Sequence, residues 1–195
     1  MKSISEAYII KLQENNITDE LGIIKIRYAL AVLKNELIKT FILICIFALI
    51  GQLEAFLAVM LLILPIRVST GGLHFKKNIP CFLFSLGYFI SAICILPALQ
   101  FGELTYYILL ALSIFIICIC PLAPSEQRPI ISRKKYLQNK YFSLLYLVIF
   151  TLILLVFIKN QGIIIMSIWA LFLHAIELLF LKLHKRKDDL TCLKN

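Results

Sequence analysis

A histidine and a cysteine seven residues apart are the strongest candidates for chemistry in this sequence. His74 and Cys81 lie in the segment from Arg67 to Cys81, which is a polar island in a largely apolar chain. A thiolate can attack a carbonyl carbon while a neighbouring imidazole moves the proton. The pair therefore suggests covalent thiol chemistry, with Cys81 as the nucleophile and His74 as the general base and acid.

The spacing of this pair demands a loop rather than a continuous helix. Seven helical residues would separate the two side chains by about 10.5 Å, which is too far for a hydrogen bond. The Gly71–Gly72 pair permits a sharp turn, and a proline follows at the point where a helix can begin. We therefore predict that the loop folds His74 over the start of a helix at 79–99. Cys81 would lie in its first turn, where free N–H groups favour a thiolate and can stabilise an oxyanion.

The other residues of this segment have two interpretations. The guanidinium of Arg67 could bind a substrate carboxylate, or it could orient the loop. Alternatively, the His74–Cys81 pair is incidental, Arg67 is one more charge at the end of a membrane span, and Gly71–Gly72 is only a turn. The residue pattern by itself leaves both interpretations open.

The composition identifies the setting of this segment as a membrane. Hydrophobic residues make up 61% of the 195 residues, which is more than a soluble domain uses. We predict an all-α, polytopic helical bundle with about six membrane segments, forming one domain over 1–195. The net charge is +9, and the basic residues lie between the apolar runs. This distribution indicates that they set the orientation in the membrane rather than bind nucleic acid, and it predicts anionic lipid head groups as partners.

The predicted segments follow the apolar runs. An amphipathic helix at 4–15 opens a cytoplasmic N-terminal region, 1–39, and the charged tail 182–195 closes the chain. The run at 40–65 contains a turn near Gly51–Glu54 and is predicted to be a short or re-entrant pair. The remaining spans are predicted at 79–99, 104–120, 141–158 and 163–181.

The distribution of positive charge predicts the orientation. If the chain turns back near Glu54, 19 of the 20 Lys and Arg residues fall on one side of the membrane. Cytoplasmic loops carry the excess of Lys and Arg. Both termini and the 67–78 loop are therefore expected in the cytoplasm, where thiols stay reduced.

Other polar residues inside the apolar runs allow weaker predictions. His174 and Glu177 are three apart and share a face of the last span, so they suggest either a helix–helix hydrogen bond or a functional group. Glu54 is expected at the membrane interface. No cysteine spacing is typical of a zinc or redox site, and we predict neither a metal nor a cofactor.

The motif Arg67-x-x-x-Gly71-Gly72-x-His74-x6-Cys81 resembles the signature of the AgrB (accessory gene regulator B) family. Chain size, apolar spans and a Pro-rich basic loop after the fourth span are also similar. The resemblance implies a membrane cysteine endopeptidase of bacterial quorum sensing, embedded in the cell membrane. It implies that Cys81 is the nucleophile and His74 the base, and that Arg67 and Gly72 occupy positions needed for activity.

The resemblance also implies a substrate. This would be a short AgrD-type propeptide that is cut near its C-terminus, held as an acyl thioester, and released when its own cysteine closes a thiolactone ring. The chain could also assemble as a homodimer. The loop at 123–130 is shorter than is typical of the family, which puts any role of Glu126 or Arg128 in substrate docking in doubt.

Two competing functions remain at the level of sequence. The chain could be a small membrane transporter or exporter of a peptide or an ion, with His174, Glu177 and Glu54 lining a path. It could also be a membrane adaptor that acts through its basic loops. Loss of Cys81 separates these hypotheses, because only the peptidase requires that thiol.

Overall fold

The computed structural model describes residues 20–73, 78–120, 122 and 133–192. Three predicted features lie outside this part of the chain. They are the amphipathic helix at 4–15, the base His74, and the loop at 123–130.

The described residues form six α-helices, and the predicted all-α class is confirmed for them. Two helices continue past their ends: α3 through a π-helical turn at Ser91–Ile95 and a 3₁₀ turn at Leu96–Leu99, and α5 through a π-helical turn at Ile153–Phe157. The helices are α1 (Glu20–Leu49), α2 (Leu53–Thr70), α3 (Asn78–Ile90), α4 (Glu103–Ile119), α5 (Arg133–Leu152) and α6 (Gln161–Cys192).

The chain divides into two compact units, 1–46 and 47–195. The described part of the first unit is the N-terminal portion of α1. Its Lys39 ammonium lies 2.8 Å from the Glu36 carboxylate, one helical turn away. The second unit contains helices α2 to α6 and the whole of the polar segment that begins at Arg67.

Helix α6 is the central helix of the second unit. Half of its apolar span is buried, against 33% for α2 and 22% for α3 and α5. Side chains of Ser167, Ala170 and Ala175 are fully buried on it. Because lipid tails are as apolar as leucine, helices in a membrane associate through close packing, which small residues permit.

Aromatic stacking joins the start of the second unit to α2 and α3. The Phe47 and Phe56 rings stack with centroids 4.6 Å apart, and Phe89 meets Phe56 edge-on at 4.9 Å. The turn between Phe47 and Phe56 is the one predicted near Gly51–Glu54. Gly51 has φ 76°, a left-handed conformation that glycine adopts without steric cost.

Within the described residues, four helical segments are long and apolar enough to cross a membrane, so the chain is a membrane protein. The predicted count of about six segments is not confirmed. Helix α4 has 17 residues and spans about 25 Å, short of a hydrocarbon core of roughly 30 Å. The four segments are Leu53–Thr70, Asn78–Leu99, Tyr136–Phe157 and Gln161–Leu183.

Helix α2 is longer than the short arm that the apolar run predicts. It continues through Pro65 and ends only where Gly71 leaves the helical conformation. This extension adds Arg67 and Thr70 to the last turn of the helix, and it places their side chains within reach of α6.

A lysine of α5 fastens the end of α4. The Lys140 ammonium donates to the carbonyl oxygens of Ile117 at 3.2 Å, Cys118 at 2.8 Å and Cys120 at 2.9 Å. The last carbonyls of a helix lack partners within it and carry partial negative charge. A cation with three donors therefore satisfies them and ties the two helices together.

Candidate functional site

The candidate site begins where α2 ends. Gly71 has φ 84°, which favours glycine, and its N–H donates to the carbonyl of Arg67 at 2.9 Å. The backbone therefore leaves the helix sharply at this residue. Gly71, Gly72 and Leu73 then run across α6.

A buried carboxylate on α6 receives this loop. Glu177 accepts hydrogen bonds from Arg67 Nη2, at 3.1 Å to Oε1 and 3.0 Å to Oε2. Its Oε1 also accepts the backbone N–H of Leu73 at 2.6 Å. The Glu177 side chain is 3% exposed and that of Arg67 is 20% exposed. A buried ion of either sign needs its partner, so the two charges hold the end of α2 and α6 together, and the Leu73 bond adds the loop.

His174 extends the cluster to α2. Its Nδ1 lies 3.3 Å from Glu177 Oε2, and its Nε2 lies 2.8 Å from Thr70 Oγ1. A neutral imidazole with its proton on Nδ1 can donate to the carboxylate while Nε2 accepts from the Thr70 hydroxyl, whose single proton then no longer serves the Ile66 carbonyl 2.8 Å away. This assignment adds no charge to the balanced Arg67–Glu177 pair, whereas an imidazolium would leave a buried net charge.

Gly72 lies where a side chain would collide with the carboxylate. A Cβ atom at this position would be 2.7 Å from Glu177 Oε1 and 3.4 Å from Arg67 Nη2. The first distance is shorter than real Cβ contacts. The glycine therefore allows the loop backbone to approach the Arg67–Glu177 ion pair directly.

Tyr88 connects this cluster to the helix that carries the cysteine. The Arg67 guanidinium carbon lies 4.5 Å from the centroid of the Tyr88 ring, and the Tyr88 hydroxyl donates to the Ala170 carbonyl at 2.6 Å. A guanidinium over an aromatic face is attracted by the ring quadrupole. Arg67 is thus engaged by α3 and α6 of its own chain.

The structure places Cys81 in the first turn of α3, where it is buried. Cys81 and Tyr88 are seven residues apart and both buried, so they share a face of α3, about 10.5 Å apart along the axis. The thiol therefore lies two turns towards the helix start from the ring that supports Arg67.

Among the predicted site residues, the structure brings together Arg67, Gly71 and Gly72 and places Cys81 on the adjoining helix. His74 is outside the described residues, although Leu73, its neighbour, is bonded to Glu177. The sequence did not predict that Glu177 is the partner of Arg67. The feature of the sequence that points to Glu177 is its pairing with His174, two ionisable residues at helical spacing in an apolar run. Of the two roles weighed for that pair, the helix–helix hydrogen bond is present, between Thr70 and His174.

Metal binding finds no support in the part of the chain that the structure describes. No group of three or more His, Cys, Asp or Glu side chains there could hold an ion. Glu177 is engaged by Arg67, Leu73 and His174 instead.

Comparison with known protein families and sequences identifies the family of this chain. The family described as accessory gene regulator B matches residues 5–178. The chain belongs to the AgrB family. Accessory gene regulator protein B of Staphylococcus saprophyticus is 27% identical over 142 residues, covering 71% of this chain and 75% of the relative. The protein of the same name from Staphylococcus carnosus is 26% identical over 155 residues, covering 80% of each chain.

No solved structure matches the chain. AgrB membership implies an accessory gene regulator role in the processing of a quorum-sensing peptide. The matched residues include the whole of the Arg67–Glu177 cluster and Cys81.

Proposed function

We propose that this chain is a membrane-embedded cysteine endopeptidase that cuts a short AgrD-type precursor and closes a thiolactone ring in it. The observation that carries the proposal is the position of Cys81. It lies in the first turn of a helix, directly after a loop that is fastened to α6. Helix N-termini favour thiolates, and their N–H groups can stabilise an oxyanion.

The first step of the proposed reaction forms an acyl enzyme. The Cys81 thiolate attacks the scissile carbonyl carbon, and the resulting oxyanion collapses as the C–N bond breaks. His74 gives its proton to the leaving amine. The C-terminal fragment departs with a free amino group, and the N-terminal part stays bound to Cys81 as a thioester.

The second step exchanges one thioester for another. A cysteine thiolate of the bound peptide attacks the same carbonyl carbon, and Cys81 leaves as a thiolate. This exchange is close to thermoneutral because the bonds broken and formed are alike, whereas conversion of an amide to a thioester is uphill. Removal of the C-terminal fragment, or consumption of the ring downstream, therefore drives the overall reaction.

The proposed partners follow from charge and topology. We place both termini and the 67–78 loop on the cytoplasmic side, so the precursor would be bound from the cytoplasm. The excess of Lys and Arg predicts anionic lipid head groups as neighbours of the same face.

Among the residues that the structure describes, no contact favours the transporter alternative. It would require His174, Glu177 and Glu54 to line a path. The first two are engaged with Thr70, Arg67 and Leu73, and Glu54 is an exposed residue at the first turn of α2.

Co-expression with the precursor peptide tests the proposed function. Cys81→Ala and His74→Ala should each abolish cleavage while the amount of inserted protein stays constant. Cys94→Ala is the matched control, because Cys94 is an exposed cysteine on the continuation of the same helix. Mass spectrometry of wild-type protein should find the acyl adduct on Cys81. Normal cleavage by Cys81→Ala would reject the peptidase assignment.

A further inference from the structure

The Arg67–Glu177 cluster lies outside the steps assigned to Cys81 and His74. We propose that Glu177 is a positioning residue for the peptidase reaction, which fixes from α6 the residues from Arg67 to Leu73 that lead into the proposed base His74. This inference rests on the proposed function.

The hydrogen bonds to Glu177 converge on the residues just before His74. Leu73 N–H lies 2.6 Å from Glu177 Oε1, and Leu73 is the residue that directly precedes His74 in the sequence. Arg67, at the other end of the loop, bonds the same carboxylate. One side chain thus fixes both ends of the segment from 67 to 73.

The cluster is built to fix Glu177 in one place. Arg67, Leu73 and His174 all donate to the carboxylate, and Thr70 fixes the far side of the His174 ring. Gly72 lets the loop approach closely. A residue held by three groups, one each from α2, the loop and α6, can transmit its position to the loop, as a supporting shell does for catalytic groups.

The same cluster also contacts α3, the helix that carries Cys81. The Arg67 guanidinium lies on the Tyr88 ring, and Tyr88 is on the face of α3 that carries Cys81. Displacing Arg67 therefore changes the support of both the loop and α3. Because a misplacement of about 1 Å can cost on the order of 100-fold in rate, a remote carboxylate can govern the reaction without touching the substrate.

Glu177→Gln tests the proposal, with Glu54→Gln as the control at an exposed carboxylate. Gln keeps an oxygen for Leu73 N–H, but its amide group cannot pair with the Arg67 charge. We expect kcat to fall about tenfold or more, with KM within about threefold, because the loss concerns positioning. Glu177→Asp, which restores the charge on a shorter side chain, should recover part of kcat. Glu54→Gln should behave as wild type.

The pH profile of Cys81 alkylation distinguishes positioning from general stability. Iodoacetamide labelling at Cys81 is followed by peptide mass spectrometry, and His74→Ala supplies the profile of a thiol without its base. The Glu177→Gln profile should move towards that of His74→Ala. A wild-type profile in Glu177→Gln, with or without loss of kcat, would overturn the positioning role.

A double variant keeps the proposal testable if the single substitution prevents folding. If Glu177→Gln does not fold, Arg67→Gln/Glu177→Gln removes both buried charges together, and the same displaced profile is expected from it. A wild-type profile in that double variant would also reject the proposal. Different results would reject the peptidase assignment itself. These are cleavage of the precursor by Cys81→Ala, or an unchanged pH profile of Cys81 alkylation in His74→Ala.

Discussion

Gly72 is the residue whose replacement disturbs the site with the smallest chemical change. Gly72→Ala places a Cβ atom 2.7 Å from Glu177 Oε1, so either the carboxylate or the loop must shift. We expect peptide cleavage to fall by about tenfold or more, because a small displacement of positioning groups is costly. The measurement is the initial rate of precursor cleavage in the reconstituted protein.

Gly87→Ala is the matched control for this substitution. Gly87 lies exposed on α3, and nothing lies within 4 Å of its added Cβ atom. Cleavage by this variant should equal that of wild type. Equal rates in Gly72→Ala and Gly87→Ala would contradict the close approach at position 72.

The residues of the loop could be predicted from sequence, but the residue that holds them could not. Arg67, Gly71 and Gly72 attract notice because they are polar or small within an apolar chain. Glu177 lies 110 positions from Arg67, and no local pattern connects the two. A buried charge indicates that it has a partner, but the identity of that partner follows only from the packing of α2 against α6.

At the scale of elements, one ammonium group of α5 bonds three carbonyl oxygens at the end of α4. Lys140→Met removes three hydrogen bonds to the last carbonyls of α4 while keeping an unbranched side chain only one atom shorter. We expect a loss of about 1–2 kcal/mol, or roughly 3–6 °C in Tm, since the group is partly exposed. Thermal unfolding in detergent measures this change.

Lys134→Met is the control for the Lys140 contact. Lys134 is exposed in the first turn of the same helix, so its loss should leave Tm unchanged. Lys140→Arg should keep most of the stability because the charge and several donors remain. A Lys140→Met variant as stable as Lys134→Met would show that the carbonyl contacts are dispensable.

Helix positions were predicted more accurately than helix lengths. The predicted turn near Gly51 and the predicted span ends at residues 99, 120 and 158 lie within about two residues of the observed helix ends. The end of α2 was predicted too early, because the apolar run stops at Pro65 while the helix continues to Thr70. Hydrophobicity records where lipid or core contacts end, whereas the backbone conformation of Gly71 sets where the helix ends.

At the scale of the whole molecule, the positive-inside distribution predicts an even number of crossings. Alkaline phosphatase, which is active only outside the cytoplasm, should be active when fused after Gln100 or Asn160. Fused after Asn195 it should be inactive, and green fluorescent protein should fluoresce there. Activity at Asn195, or its absence at Asn160, would overturn the predicted orientation.

The Arg67–Glu177 ion pair also sets an order of events during synthesis. The ribosome adds Leu73 104 residues before Glu177, so roughly 5–20 s pass between them at ordinary elongation rates. For most of that interval Cys81, the proposed nucleophile, has already been added, whereas the carboxylate that binds Arg67 and Leu73 has not. A nascent chain can therefore bond Arg67 and Leu73 to α6 only after Glu177 has been added, and a chain that stops before α6 would carry Cys81 without that support.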